Sequence, residues 1–500
     1  MRRESYEGSN PSPGTRSHDQ CTERPGRRRG VRRRWARIRW LRGASRSDEN
    51  SELRTFRRAL PDENFRTERG RQVDEVDASG KRPLWVLLVT LASLTMLGPF
   101  TIDTAFPAFG RMGTEFHADT AEMQLVVTAY MLAFAAMSPF HGPISDAVGR
   151  RPVMIAGLSV YLLASIGCAL APNLMVLLAF RVLQGLSAGG GVIVSRAVVR
   201  DLFEGPQAQR LMSRVTMIFG IAPAIAPIIG GLLLGLGSWR LIFWFLVVVA
   251  ALMIALVVFV LPESHPPHRR TEFAPKVLVA GLLRAGRSAA FHRLSWAASL
   301  SFAGYFVYVG AAPIFVVDLM GKGEGDFWML FVPLIGGMIV GSAICSWSSG
   351  RMSANRLVTG GMLFGLFGAL VNVALAMVPA TQTLPWAVVG PALLGVGSGV
   401  CYPALQLMLL DMFPASRGAT VSLFTFFTLV LNGLVAGFVT PYTSGSALTL
   451  ALTSLTGLVL GLVFWTSHLR HRPGAAARMF ARRATQVHES ANIRGAPDPT

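Results

Sequence analysis

Runs of about 20 mostly apolar residues, the length a helix needs to cross a bilayer, begin at Leu84, Met123, Val153, Leu174, Val215 and Leu241. After a polar stretch they resume at Leu294, Phe327, Leu357, Leu384, Thr420 and Ala447. The pattern predicts an all-α membrane protein of twelve transmembrane helices in two six-helix halves, residues 84–261 and 294–467. A basic loop, 262–293, joins the halves, and a tail, 468–500, follows them; both are expected to be cytoplasmic. Residues 1–83 are Arg-rich and poor in aliphatic side chains. Such a chain cannot bury enough apolar surface to offset its ordering entropy, so a disordered, basic cytoplasmic extension is expected there. Two parallel halves of this kind place a binding site between them at the membrane midplane.

Composition supports this division. Of 500 residues 51% are hydrophobic and 15% charged, against about 25% charged in soluble domains. The net charge of +19 invites a nucleic-acid reading, which its distribution removes. Residues 1–83 hold 22 Lys and Arg against 13 Asp and Glu, and the other basic residues cluster in short loops. With a cytoplasmic N-terminus, the outer loops carry only Arg111, Arg240 and Lys322. The inner side carries Arg150, Arg151, Arg196, Arg200, Arg210, Arg214, Arg351, Arg356, Arg417 and Arg470. That bias orients both termini toward the cytoplasm. The triplets Arg27–Arg29 and Arg32–Arg34 leave two readings of the extension: contact with anionic lipid, or a start site placed too far upstream. No apolar signal core follows the early charges. Cys168, Cys345 and Cys401 lie inside apolar runs, giving neither a disulfide framework nor metal spacing. Phosphate-loop and zinc-protease motifs are absent from the sequence, and no enzyme and no cofactor is expected.

Four local patterns carry chemistry. Gly142-Pro-Ile-Ser-Asp146-Ala-Val-Gly149-Arg150-Arg151-Pro152 sits at the inner turn between spans two and three. Its glycines permit a tight turn and close approach, Pro152 suits a helix start, and its charges form a knot at the membrane face. Arg181-Val-Leu-Gln184-Gly185 puts a cation inside span four, where burial costs at least about 3 kcal/mol and calls for a polar partner. Span five carries Gly220, Ala222, Pro223 and Ala226-Pro227-Ile-Ile-Gly230-Gly231, residues that bend a helix and allow close packing. With Gly336, Gly337 and Gly341 in span eight they suggest a tight contact between spans five and eight, with Gly230 and Gly341 close enough to crosslink as cysteines. Asp103 is the one carboxylate well inside the apolar runs. Lining a watered cavity there, it can exchange a proton or hold a cationic substrate. His141, beside the inner turn, reads as an interfacial side chain.

These motifs resemble those of the major facilitator superfamily, G-x-x-x-D-x-x-G-R-R between spans two and three and R-x-x-Q-G in span four, with Ala147 where the family usually has a basic residue. The span-five pattern resembles the family's antiporter motif, with Ala222 and Ala226 in place of glycine. Asp103-x-x-x-Pro107 resembles span one of multidrug exporters, with Thr95 where some relatives carry a second acid. Gln124–Tyr130, Arg196–Phe203 and Trp239–Trp244 are similar to the Bcr/CflA drug-resistance branch. The resemblance implies a drug:proton antiporter with protons and small drug-like molecules as partners, in a bacterial inner membrane. It implies proton coupling at Asp103 and Arg181. It also implies a conformational role for Gly142, Asp146, Gly149, Arg150, Arg151, Gln184, Gly185, Asp201, Pro227, Gly230 and Gly231, with Arg150 pairing Asp201 to close the cytoplasmic side. Residues suited to lining an adaptable apolar cavity are Phe106, Tyr130, Phe134, Met217, Tyr305, Tyr308, Tyr402, Gln406, Phe427 and Asn432.

The lipid bilayer is the expected surround, a monomer the expected state, and nucleic acid no partner. A same-fold metabolite exporter, a uniporter or importer, and a membrane receptor with residues 1–83 as effector remain alternatives. Removing residues 1–75 separates the last of these: efflux measured in cells should persist for an exporter and signalling should vanish for a receptor.

Overall fold

The computed structural model describes residues 84–203, 205–348, 351–412 and 417–471. The Arg-rich extension and most of the tail lie outside the described residues. Twelve long helices run through the described residues: α1 (Leu84–Asp103), α2 (Thr120–Val148), α3 (Arg150–Ala169), α4 (Leu174–Leu202), α5 (Gly205–Gly235), α6 (Arg240–Phe259), α7 (Ala289–Gly310), α8 (Trp328–Ser348), α9 (Ala354–Ala376), α10 (Val389–Met412), α11 (Arg417–Leu434) and α12 (Ala447–Arg470). No strand occurs among the described residues.

Ten of the twelve, some together with the short helices that prolong them, are long and apolar enough to cross a membrane by length and composition alone. The other two are α5, whose apolar run begins at Val215, and α7, whose Ser, Gly, Trp and Tyr residues dilute its apolar run. Helix α7 is buried along most of its length, so a lipid-facing hydropathy is not required of it.

Local sequence sets the helix ends. Asp119 and Glu122 form a capping box at the start of α2, with bonds of 2.7 and 2.9 Å. Asn173 caps α4, Ser288 α7, Ser353 α9 and Ser446 α12. Each supplies a side-chain acceptor to amides that the helix leaves unpaired. A single residue, Gly149, separates α2 from α3, with φ at +113° where a side chain would be strained.

The pairings among the first six helices recur six helices later. Helix α2 packs on α4 as α8 does on α10; α3 on α6 as α9 on α12; α1 on α5 as α7 on α11. The two six-helix halves meet along α2–α11 and α5–α8, contacts that the same relation exchanges. The turns α2–α3, α4–α5, α8–α9 and α10–α11 share one end of the bundle, here the basic face.

The expected α5–α8 contact is present, but its glycines face elsewhere. A Cβ on Gly230 would strike the Thr104 carbonyl just beyond α1, and one on Gly231 would reach the Glu324 backbone. Gly337 and Gly341 instead lie on the α10 backbone at Ala392 and Val396, while Gly395 and Gly399 of α10 lie on Leu334 and Met338. This interlocked seam lets α8 and α10 approach to backbone contact.

Replacing Gly341 by Leu must therefore separate α8 from α10 and should cost about 2–3 kcal/mol, visible as a lowered melting temperature of the purified protein. Gly336→Ala, whose Cβ meets nothing within 4 Å, should leave stability unchanged or slightly raised, since alanine favours the helix.

Candidate functional site

Helix α1 stops at Asp103 for a reason written in the sequence. Pro107 lacks the N–H that would bond the Asp103 carbonyl, and the chain tightens into a 3-10 turn over Phe106–Ala108. The Ala105 amide turns to Ile102 at 3.4 Å, so the Thr101 carbonyl is left available. Arg181 takes it. Its Nη1 donates to Thr101 at 3.1 Å and to Gln184 Oε1 at 3.0 Å, and its Nε donates to the Val126 carbonyl at 2.9 Å. The guanidinium carbon lies 4.9 Å from the centre of the Tyr130 ring. Arg181 is fully buried, and its Nη2 has no hydrogen-bond partner.

The network extends outward from this cation. Gln184 Nε2 donates to Ser165 Oγ at 2.8 Å, and Thr101 Oγ1 bonds Tyr161 OH at 2.6 Å. Helices α1, α2, α3 and α4 are thus tied to one charge. Gly185 completes the motif by letting α4 touch the α2 backbone at Tyr130 and Phe134.

Asp103 is treated differently. It is 3% exposed and makes no hydrogen bond or ion pair among the described residues, Arg181 included. Its electrostatic neighbours are Tyr130 of α2 and Tyr305 of α7. The Tyr130 side chain is fully buried, and its ring packs on Phe134 with centroids 6.2 Å apart. The carboxylate therefore sits where a helix of each half approaches the other.

Other expected lining residues divide. Tyr402 of α10 lies within electrostatic range of Arg196 of α4, across the two halves. Arg196 lies within the last turns of α4 and not in a loop. Gln406 shares the Tyr402 face one turn on and is half-buried. Asn432 is buried with its Oδ1 unpartnered. Tyr308 turns away: it accepts from Asn372 Nδ2 at 2.5 Å inside the second half. Phe427 packs on Phe291, His292 and Trp296 of α7. The side chain of Met217 lies outside the described residues. His141 is not interfacial; it is 5% exposed, bonded to the Met137 carbonyl at 3.0 Å and packed on Gly189 of α4.

At the basic face, Arg150 binds Asp146 at 2.5 Å, Asp201 at 2.8 Å and Ser145 Oγ at 2.6 Å. All three bonds lie within the first half, so this knot does not itself bridge the halves. Glu263, just past α6, accepts from the amides of Arg150 and Arg151 at 3.0 and 3.1 Å, capping α3 with a carboxylate. The Arg151 guanidinium reaches the Val258 carbonyl. Of the motif glycines, Gly149 has Glu263 and Arg270 against it, whereas Gly142 lies inside α2 with open space around it. Gly142 is thus not needed for close approach. Glu263 was missed by the sequence reading; its signal was an acid directly after a span in a basic loop.

At the opposite face the halves are joined. Arg111 grips Glu324 with two bonds, 2.7 and 3.2 Å, and its Nη1 caps the end of α5 at the Gly237 and Leu234 carbonyls. Gln124 Nε2 donates to the Gly310 carbonyl at 3.0 Å and Thr128 Oγ1 to Gly433 at 3.1 Å. Phe106 meets Phe331 with ring centroids 6.3 Å apart. Arg240, the other outer arginine, pairs Glu115 at 2.7 Å.

Twelve membrane-spanning helices in two related halves, with a charged seam between them, describe a multi-pass transporter. The sequence profile of the Major Facilitator Superfamily matches residues 89–437, and the chain belongs to that family. It is 30% identical to the bicyclomycin resistance protein homolog of Haemophilus influenzae over 278 residues, 56% of this chain and 70% of that one. It is 27% identical to multidrug resistance protein D of Escherichia coli over 394 residues, 75% of this chain and 94% of that one. Among solved structures it superposes on a bacterial homolog of the human lysosomal transporter Spinster, with a TM-score of 0.61 at 17% identity over 77% of this chain and 96% of that one. This last likeness concerns the fold.

Replacing Arg181 by Met keeps the bulk but leaves the Thr101 carbonyl, freed by the helix break, without its donor and removes one bond each from the Val126 carbonyl and Gln184 Oε1. Unmet buried acceptors cost about 1–3 kcal/mol each, so the melting temperature of the purified variant should fall. Arg181→Lys, with one nitrogen for three acceptors, should recover only part of it.

Proposed function

We propose that this chain is a secondary active exporter that exchanges small, largely apolar drug-like molecules for protons by alternating access across a bacterial inner membrane. The observation that carries the reading is Asp103, a buried carboxylate without a fixed partner, at a helix break between the two halves. A carboxylate locked to Arg181 would be a structural ion pair; one left unpaired can take a proton or yield its place to substrate. The names of the similar drug-resistance proteins support the substrate class.

In this cycle the conformation described here is one end state. The halves are held at the face opposite the basic one. With the basic face cytoplasmic, substrate enters from the cytoplasm beside Arg196, Tyr402 and Gln406 and moves toward Tyr130, Phe134, Tyr305 and Asn432. Opening outward requires the Arg111–Glu324, Gln124–Gly310 and Thr128–Gly433 links to part. Protonation from outside neutralises Asp103, weakens its hold on substrate and allows the carrier to return. Arg181 acts as a positioning residue, because it fixes the α1 segment that carries Asp103. A proton entering through 100 mV contributes about 2.3 kcal/mol, enough to drive appreciable accumulation outside. The transporter works as a monomer in this scheme, since each chain holds both halves.

Asp103→Asn should abolish substrate efflux driven by an imposed pH gradient in proteoliposomes while leaving the melting temperature unchanged. Pump activity that still follows the pH gradient in this variant would remove Asp103 from proton coupling.

A further inference from the structure

The loop between the halves contains a twelve-residue helix, Pro275–Gly286, ending two residues before α7. It packs on α11 and α7. Ala285 is fully buried in a cluster with Phe291 and Leu294, Leu278 and Leu282 are half-buried, and Gly286 lies against Leu423 in the second turn of α11. This docked side holds the helix level with the first turns of two membrane-spanning helices, at the bilayer surface of the basic face.

The other side is unusual. Lys276, Val279, Leu283 and Arg287 recur at helical spacing along it, flanked by Arg284 and preceded by Phe273. Leu283 is 52% exposed, Val279 46% and Phe273 40%. Lys276, Arg284 and Arg287 are exposed and make no ion pair among the described residues. Of the two acids in the loop, Glu263 is engaged at α3 and Glu272 stands one turn ahead of the helix. An apolar ridge set among cations suits an interface where acyl chains lie beside phosphates.

We propose that this face binds the anionic lipid of the membrane leaflet it touches, with Lys276, Arg284 and Arg287 holding phosphate groups and Leu283, Val279 and Phe273 entering the acyl boundary. Charge selects this occupant over the chain's own extension, because residues 1–83 are themselves strongly basic. A second copy would bring the same cations face to face. Bound in this way the helix fixes the first turn of α7 to the membrane surface, so lipid charge acts on the half that must rock.

The test uses the full chain, made cysteine-free, with a nitroxide on Leu283→Cys, in nanodiscs of phosphatidylcholine alone or with roughly a third phosphatidylglycerol. Power saturation should show the label more accessible to oxygen than to a nickel chelate, and more so with phosphatidylglycerol. Lys276→Gln/Arg284→Gln/Arg287→Gln should erase the difference between the two discs and lower apparent affinity for phosphatidylglycerol about tenfold or more. An unchanged melting temperature shows that the variant is folded; if it falls, the single Arg287→Gln, expected to give a partial loss, replaces it. A label equally open to the nickel chelate in both discs overturns the proposal. So does a label shielded to the same extent in detergent micelles, where the cover would have to be protein.

Discussion

One buried cation organises the first half. Among the described residues Arg181 has no carboxylate opposite it; its charge is distributed over two main-chain carbonyls, a side-chain amide oxygen and the face of Tyr130. Removing water from a guanidinium is expensive, and the expense is recovered only if several acceptors are held in place around it. Those acceptors lie on α1, α2 and α4, with α3 attached through Gln184 and Tyr161. The four helices are therefore constrained to keep their relative positions, which is the requirement for a half that moves as a rigid body. The same arrangement leaves Asp103 unneutralised, although it stands only two residues from the carbonyl that Arg181 occupies.

The break in α1 makes this possible, and the second half repeats it. Helix α7, the counterpart of α1, ends at Gly310, and Pro313 and a widened turn over Ile314–Leu319 follow. Helix α11 widens likewise over Val435–Val439. The side chains of α2 reach main-chain oxygens beside these irregular turns, at Gly310 and Gly433. A link from a side chain to a carbonyl carries no net charge, so parting it does not expose a lone ion. Among the described residues only Arg111–Glu324 adds a charged contact across the halves at this face, and both its members are partly exposed. Exposed pairs of this type are worth about 0–1 kcal/mol, weak enough to part readily.

Much of this was legible in the order of residues. Twelve apolar runs predicted all twelve helices, and Arg181, Gln184, Gly185 and Asp103 stood out because polar or small residues are conspicuous in apolar surroundings. Illegible were the relations that need three dimensions. Period and composition show that Gly341 allows close approach, but not that α10 is what approaches. His141 and Tyr308 have the polarity of interface or cavity residues, yet one packs on Gly189 and the other is satisfied by Asn372. Glu263 and Glu324 sit in loops, where hydropathy gives no reason to single out one acid, and the arginines they meet are 112 or more residues away along the chain.

The distribution of arginine acquires a second meaning once these partners are known. On the face opposite the basic one, Arg111 and Arg240 are each matched by a carboxylate, so the charge bias between the two faces exceeds what counting cations suggests. At the basic face Arg150 is consumed by Asp146 and Asp201, while the amides that start α3 are answered by Glu263. Cations tied in this way stiffen turns and contribute little to a surface potential. Lys276, Arg284 and Arg287, which make no ion pair among the described residues, lie in the loop between the halves. Orientation, half-rigidity and membrane contact thus draw on different subsets of the same basic residues, and the pairing state of each one decides which task it serves.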